Sequence, residues 1–358
     1  MDESPLVPLI RELLSTRRPL ELLALASALI RAAAPDPVTR LKSPRRDPLW
    51  LDQVVTGLID VPCRETTTLL AVLAELLIDD EDLRARCRQH VAARDDMVPA
   101  WARRLGDIDV YRAVRMPHVL GDADQLLIGA RLIGGHELTC LVYIDHNLTS
   151  AATDVLFLQN SIANVLRAAD HPDMGVAEMS LADARAWITQ GLEHPLIGFG
   201  DDSGWLWPAL LTWLIRQLPD NGTRYLPPAV DFAQSEDLLD AFFASPSGAP
   251  FNACEYRELA LELLLDTGTG DPLRWSPTRV EHALAASSYG DTYMPIGTVL
   301  NVPEILRAYI PFAHARSGIR AELTAAAIAV VDRMAQSYKR EVLERAADWG
   351  EDFGADAS

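Results

Sequence analysis

The sequence predicts an α+β fold, mostly helical, with a small central antiparallel β-meander. Three observations predict it. Apolar residues recur at three- and four-residue steps over the first hundred positions. Residues 110–158 then shift toward alternation with β-branched and aromatic side chains, and the helical period returns afterwards. At 358 residues and 49% hydrophobic content, the chain exceeds a single small domain and can bury an extensive core without metal or disulfide staples.

Residues 1–105 read as an N-terminal helical layer. Its helices are "PLVPLIRELL", "PLELLALASALIRAA", "DPLWLDQVVTGLI", "TTTLLAVLAELL" and "EDLRARCRQHVAAR", separated by turns bearing Pro and Asp. No repeat of fixed length marks a solenoid. Residues 106–160 read as the meander, with strands at 110–119, 125–133, 138–145 and 154–158. Gly121 with Asp122, and Gly134 with Gly135, punctuate them as hairpin turns. In the third strand Leu138, Cys140, Val142 and Ile144 share one face and Thr139, Leu141 and Tyr143 the other. Both faces are largely apolar, so this strand is expected to be central.

Residues 161–350 read as a C-terminal helical region packed on one sheet face. Its start signals are Ser180 with Asp183, Ser235 before Glu236 and Asp237, Ser276 before Pro277, and Asn301 before Pro303 and Glu304. Such residues cap helices by bonding the free N–H groups of the first turn. The segments "LLDAFFASPSGAPFN" and "SSYGDTYMPIGT" read as irregular connections. Ile328, Val331, Ala335, Tyr338 and Val342 stripe a long last helix, followed by an acidic tail at 351–358.

The start, "MDESPLVPLIRELL", lacks the basic region and long apolar run of a signal peptide, and later apolar runs are broken by charges. No membrane association and a cytoplasmic location are therefore expected. Cys63, Cys87, Cys140 and Cys254 lie far apart and form no C-x-x-C pair, which excludes a zinc ribbon or dithiol site and fits reduced thiols. The net charge of −19 is uneven. Residues 1–120 hold 17 Arg and Lys against 18 Asp and Glu, and residues 121–358 hold 15 against 33. An acidic surface repels phosphate backbones, so nucleic acid is disfavoured as a partner. The one basic patch, "RLKSPRRD", places Arg40, Lys42, Arg45 and Arg46 in a loop that reads as a solvated linker. Arg outnumbers Lys 30 to 2, so only Lys42 and Lys339 can serve chemistry that requires a lysine.

The strongest chemical candidate ends the strand "LTCLVYIDHNL". Asp145, His146 and Asn147 are adjacent there, and Asp154 follows eight residues after His146. Alternation in an extended segment would put Asp145 and Asn147 together and His146 opposite, and a turn after Leu148 would return Asp154 alongside. That set would suit acid/base work or a metal ligand. The competing reading, which the sequence favours, is structural: Asp and Asn bond their own backbone in turns, and a histidine at a strand end is commonly packed and hydrogen-bonded. His90, His118, His136, His171, His194, His282 and His314 show no H-x-H or H-E-x-x-H spacing, so no metal site is read, although His118 and His136 fall in or beside neighbouring strands.

The remaining motifs are weaker. In "GDADQ", Asp122 and Asp124 lack the rest of a calcium loop and read as a β-turn. "GDDSGW" reads as a helix start capped by Ser203 or Asp202, with Trp205, Trp207 and Trp213 as core or interface. "ASSYG" around Ser288 follows a helix, not a strand, so it is no nucleophile elbow. "DTGTGDP" leads Gly268 and Gly270 to Pro272, not to a phosphate-binding helix, and no nucleotide or other cofactor is expected.

At "VYIDHNL", "PLELLALASALIRAA", "DPLRWSPTRVEHAL" and "VPEILRAYIPFAHARSGI" the chain resembles a family of uncharacterised actinobacterial proteins, over nearly its whole length. The resemblance implies a shared fold and a cytoplasmic setting and carries over no catalytic residue. The family pattern tends to a lysine before the aspartate that follows DHN, where this chain has Thr153 before Asp154. It also tends to a basic, Trp-containing run where this chain has "AASSYGDTYMP".

The function expected first is protein interaction or scaffolding, with a protein partner or self-association into a homo-oligomer. An enzyme using Asp145, His146, Asn147 and Asp154 comes second, and a nucleic-acid-associated regulator third. The charge balance generates a prediction: duplex DNA should not be retained at physiological salt in a mobility-shift titration. Sub-micromolar, salt-sensitive binding abolished by Arg45→Ala with Arg46→Ala would contradict it.

Overall fold

A computed structural model describes residues 6–33, 49–169, 171–193, 207–227, 232–285 and 294–355. It is α+β and mostly helical: 61% helix, with fifteen helices and a five-stranded antiparallel sheet among the described residues. The basic loop at 40–46, His194, "GDDSGW" and "ASSYG" lie outside the described residues. The chain forms two compact units, one of residues 1–116, 125–144 and 151–225, the other of residues 117–124, 145–150 and 226–358.

The first unit opens with helices α1 (Leu6–Ser15), α2 (Pro19–Ala33), α3 (Leu49–Asp60), α4 (Arg64–Leu76), α5 (Glu81–Ala92) and the short α6 (Ala100–Arg103). Helix α4 is the centre of this layer, because every residue from Thr66 to Ala74 is buried. A helix apolar on all sides must be surrounded, and α1, α2, α3, α5 and α6 surround it. The sheet follows: β1 (Asp109–Pro117), β2 (Ala123–Leu132), β3 (His136–Asp145) and β4 (Ala151–Leu158), then α7 (Ile162–Ala168), β5 (Ala177–Met179), α8 (Leu181–Glu193) and α9 (Pro208–Arg216). Glycines 121, 134 and 135 turn the first two hairpins with positive φ of 71°, 95° and 82°, values that cost an L side chain energy.

Strand order is β4-β3-β2-β1-β5. Strand β3 is thus interior, as its two apolar faces require, although β2 is the middle strand. Val142 and Ile144 are 0% and 1% exposed, which confirms the face assignment. Leu126, Ile128, Ala130 and Leu132 of β2 join the β3 face in one apolar cluster with α2, α4 and α9. The opposite face is also covered, since Val114, Met116 and Leu127 pack with Ile162 and Val165 of α7, so helical packing is not confined to one sheet face. The sequence reading missed β5, which pairs antiparallel with β1 (Ala113 with Met179, Arg115 with Ala177) but spans three residues with no β-branched side chain. Ser180 caps α8 as expected, accepting the Asp183 N–H at 3.0 Å and donating to its carboxylate at 2.6 Å.

The second unit contains α10 (Phe232–Phe243), α11 (Cys254–Asp266), α12 (Pro277–Ala285), α13 (Ile296–Val299), α14 (Val302–Ser317) and α15 (Ala321–Ala355), so residues 351–355 of the acidic tail are helical. Two expected caps are corrected. Ser235 is buried inside α10, because the helix already runs from Phe232. Asn301 precedes α14 without capping it; its amide donates to Tyr256 Oη at 2.8 Å and the Gly297 carbonyl at 2.9 Å. Ser276 does cap α12, accepting the Arg279 N–H at 3.0 Å.

The unit's core centres on Trp275, Tyr309 and Phe242, joined by Val331 and Tyr338 from the α15 stripe. His314 is 1% exposed inside it. The Trp275 N–H donates to His314 Nε2 at 3.1 Å, which leaves Nδ1 to donate to Thr324 Oγ1 at 2.9 Å. Burial pushes the His314 pKa down to about 4. An unfolded chain protonates this ring at its ordinary value near 6.5 and the folded chain resists until about 4. Between those values the unfolded state binds the extra proton, so stability rises with pH. Urea midpoints should therefore fall as pH is lowered from 6.5 toward 4, and His314→Gln should lose that component. An identical pH slope in the variant would refute the assignment.

Candidate functional site

The DHN residues close β3 through a single 3-10 turn, His146–Leu148. Asp145 caps it, its Oδ1 accepting the Asn147 N–H at 2.8 Å. This is the turn chemistry that the sequence favours. His146 does not point away from chemistry, however. Its Nε2 lies 2.8 Å from Asp124 Oδ2 and its Nδ1 2.9 Å from Ser150 Oγ. The side chains of His146 and Asp124 are 3% and 1% exposed, and the His146 N–H donates to the Asp122 carbonyl at 2.8 Å.

The loop 117–124 supplies a second, half-buried carboxylate. Asp122 lies 3.2 Å from His118 Nδ1. Burial alone would raise its pKa, but hydrogen bonds from His118 and from Ser276 outweigh that and hold it below the usual carboxylate range. Ser276 therefore links Asp122 to the first turn of α12. Arg279, in the next position along this chain of bonds, is 2% exposed. Its guanidinium donates to Thr267 Oγ1, the carbonyls of Arg274 and Leu264, and that of Asp271, and lies 4.0 Å over the Trp275 ring.

Gly268 fits between these groups. At φ +59° an L side chain is strained, and a Cβ there would come within 2.8 Å of Arg279 Cδ and 2.9 Å of Asn147 Oδ1. Asn147 Oδ1 is itself buried with no hydrogen-bond partner among the described residues. Thr149 and Ser150 also hold positive φ, 56° and 60°. Two such non-glycine residues in succession cost roughly 1 kcal/mol or more each.

The predicted set is thus rearranged. Asp145, His146 and Asn147 remain neighbours in one turn, but His146 bonds Asp124 and Ser150, which the sequence reading placed in a plain turn or left unassigned. Asp154 belongs to the other unit, exposed on β4, its Oδ1 accepting the Val155 N–H at 2.8 Å. His118 pairs with Asp122 and does not join His146, and His136 begins β3 in the first unit. Among the described residues, no three His, Cys, Asp or Glu side chains are arranged to hold a metal ion.

The first unit carries a different feature, a groove of about 760 Å³. Its floor is apolar, with Ile30, Leu51, Leu77, Ile78 and Pro208. Asp52, Asp79, Asp80 and Asp82 edge it against Arg31 and Arg86. Asp80 is fixed by capping α5 through the Leu83 N–H at 3.0 Å, and Asp52 by Arg86 at 2.6 Å. Asp82 is exposed in the first turn of α5, where the helix dipole favours an anion. No helix among the described residues is long and apolar enough to cross a membrane. Comparison with protein-family models, with curated proteins and with solved structures gives no match.

The turn geometry generates a stability prediction. Asp145→Ala removes the cap and should cost about 1 kcal/mol in urea unfolding, while Asp145→Asn should retain most of it. An unchanged midpoint in the alanine variant would show that the turn does not depend on this bond.

Proposed function

We propose that this chain is a protein-interaction module whose first unit takes a partner's apolar segment flanked by Arg or Lys. The groove carries the reading. It is apolar at its floor, as a protein-binding cleft needs, and its edge holds four aspartates against two arginines. Three of the acids are held in place by a cap or an ion pair, so little ordering is lost when a cationic segment meets them. The acidic balance of the whole chain, −19, favours the same partner class. A cytoplasmic setting belongs to the proposal and is supported by the cysteines, all unpaired thiols, with Cys254 exposed.

Peptide-display selection against the intact chain provides the test. Peptides that combine Leu, Ile, Phe or Trp with Arg or Lys should be enriched. Ala209→Trp fills the groove and Asp82→Lys reverses an edge charge, and each should weaken an enriched peptide about tenfold, or by 1.4 kcal/mol. Three results would reject the reading: no such enrichment, binding indifferent to both substitutions, or cross-links showing the groove occupied by this chain's own residues 34–48 or 194–206 or by a second copy.

A further inference from the structure

We infer that Ser150 is an activated nucleophile, with His146 as its base and Asp124 as the group that orients the ring, forming an acyl-transfer site for an ester. The inference is independent of the groove, because all three residues belong to the second unit.

The hydrogen bonds define the roles. Asp124 Oδ2 lies 2.8 Å from His146 Nε2, and an ionised carboxylate can only accept, so the neutral ring carries its proton on Nε2. Nδ1 is then the bare nitrogen, and at 2.9 Å it takes the O–H of Ser150. This is the connectivity of nucleophile, base and orienting acid used in serine acyl transfer, with the two ring nitrogens exchanged. Either nitrogen can serve, since the neutral ring always offers one donor and one acceptor.

Burial and backbone agree with the assignment. Asp124 is 0% exposed, His146 8% and Ser150 9%, so the array is shielded most completely at its acid end. Ser150 sits at φ 60° directly after Thr149 at 56°, a conformation that a structural serine has no need to adopt.

The step balances. Ser150 Oγ attacks the ester carbonyl and its proton passes to His146 Nδ1. The C–O bond to the leaving alcohol breaks, and the ring proton goes to that alcohol. Water then attacks the acyl-serine, gives its proton to Nδ1, and Ser150 recovers it as the carboxylic acid leaves.

Diisopropyl fluorophosphate tests the first half directly. Its phosphorus bonds to Oγ, fluoride leaves, and the hydroxyl proton is taken by His146. Incubation of the intact chain followed by peptide mass spectrometry should show one adduct, on Ser150. The same chain unfolded in urea should not label there, because the array no longer exists. Ser150→Gly tolerates positive φ, should fold, and should not label. His146→Gln should slow labelling at least about tenfold, and p-nitrophenyl acetate hydrolysis should fall in parallel. A folded wild-type chain without an adduct on Ser150 overturns the inference. So does equal labelling of native and unfolded chain, which needs no variant to fold, or labelling indifferent to His146→Gln.

Discussion

A carboxylate taken out of water must be paired or neutralised, and Asp124 is 0% exposed. Its bond to His146 is the constraint on which the strand ends depend. The loop 117–124 must hold the acid and the turn after β3 must hold the ring within 2.8 Å of it. The consequences spread along the chain. The His146 N–H is tied to the Asp122 carbonyl, Asp122 to His118 and Ser276, and Ser276 to the first turn of α12. Removing either partner of a buried pair strands the other, so this network resists piecemeal change in a way that surface ion pairs such as Arg104 with Asp107 do not.

Arg279 is another buried charge of the same unit. A fully buried guanidinium must place its N–H donors, and here three bonds go to carbonyls at the end of α11 and along the loop before α12, and the Nε–H goes to Thr267 Oγ1. Those carbonyls are orphans of a helix end and of an irregular loop, which otherwise need water. One side chain thus serves as a C-terminal cap and a loop staple, and it stacks on the ring of Trp275, whose backbone N–H is held by His314. Lys could not replace it, because a point-like ammonium cannot reach several carbonyls in a plane.

The fold class was legible because the periods are strong. "PLELLALASALIRAA" coincides with α2, and the alternation in 138–144 matches the buried face of β3. What was missed has short or non-local causes. Strand β5 has three residues and exists because β1 has an edge to pair. Ser235 looks like a cap only if the helix start is unknown. The site was half legible. Asp124 is in phase with Leu126, Ile128 and Ala130, and His146 with Val142 and Ile144, so each continues a core face. A polar residue in phase with a buried face calls for a buried partner, and that signal was present at both positions. Ser150 gave no such signal, since neither its positive φ nor its nearness to the ring is encoded in local pattern.

Negative charge has two physical sources in this chain, and they bear differently on recognition. At the start of α5, Asp80 satisfies the free Leu83 N–H and Glu81 and Asp82 complement the helix dipole, so folding alone explains their presence. The same duty makes Asp80 rigid, and a rigid acid at the edge of an apolar groove meets a cation at less entropic cost than a freely rotating one. By contrast Asp124 is buried and Asp122 half-buried, and both spend their charge on internal partners, which weakens their part in the surface field. A sum such as −19 therefore overstates what a partner meets at one end of the chain and says little about where it meets it. In the described part of the first unit, Asp80 by its cap and Asp52 by its ion pair with Arg86 are held at the groove's edge, where the proposed partner would meet them.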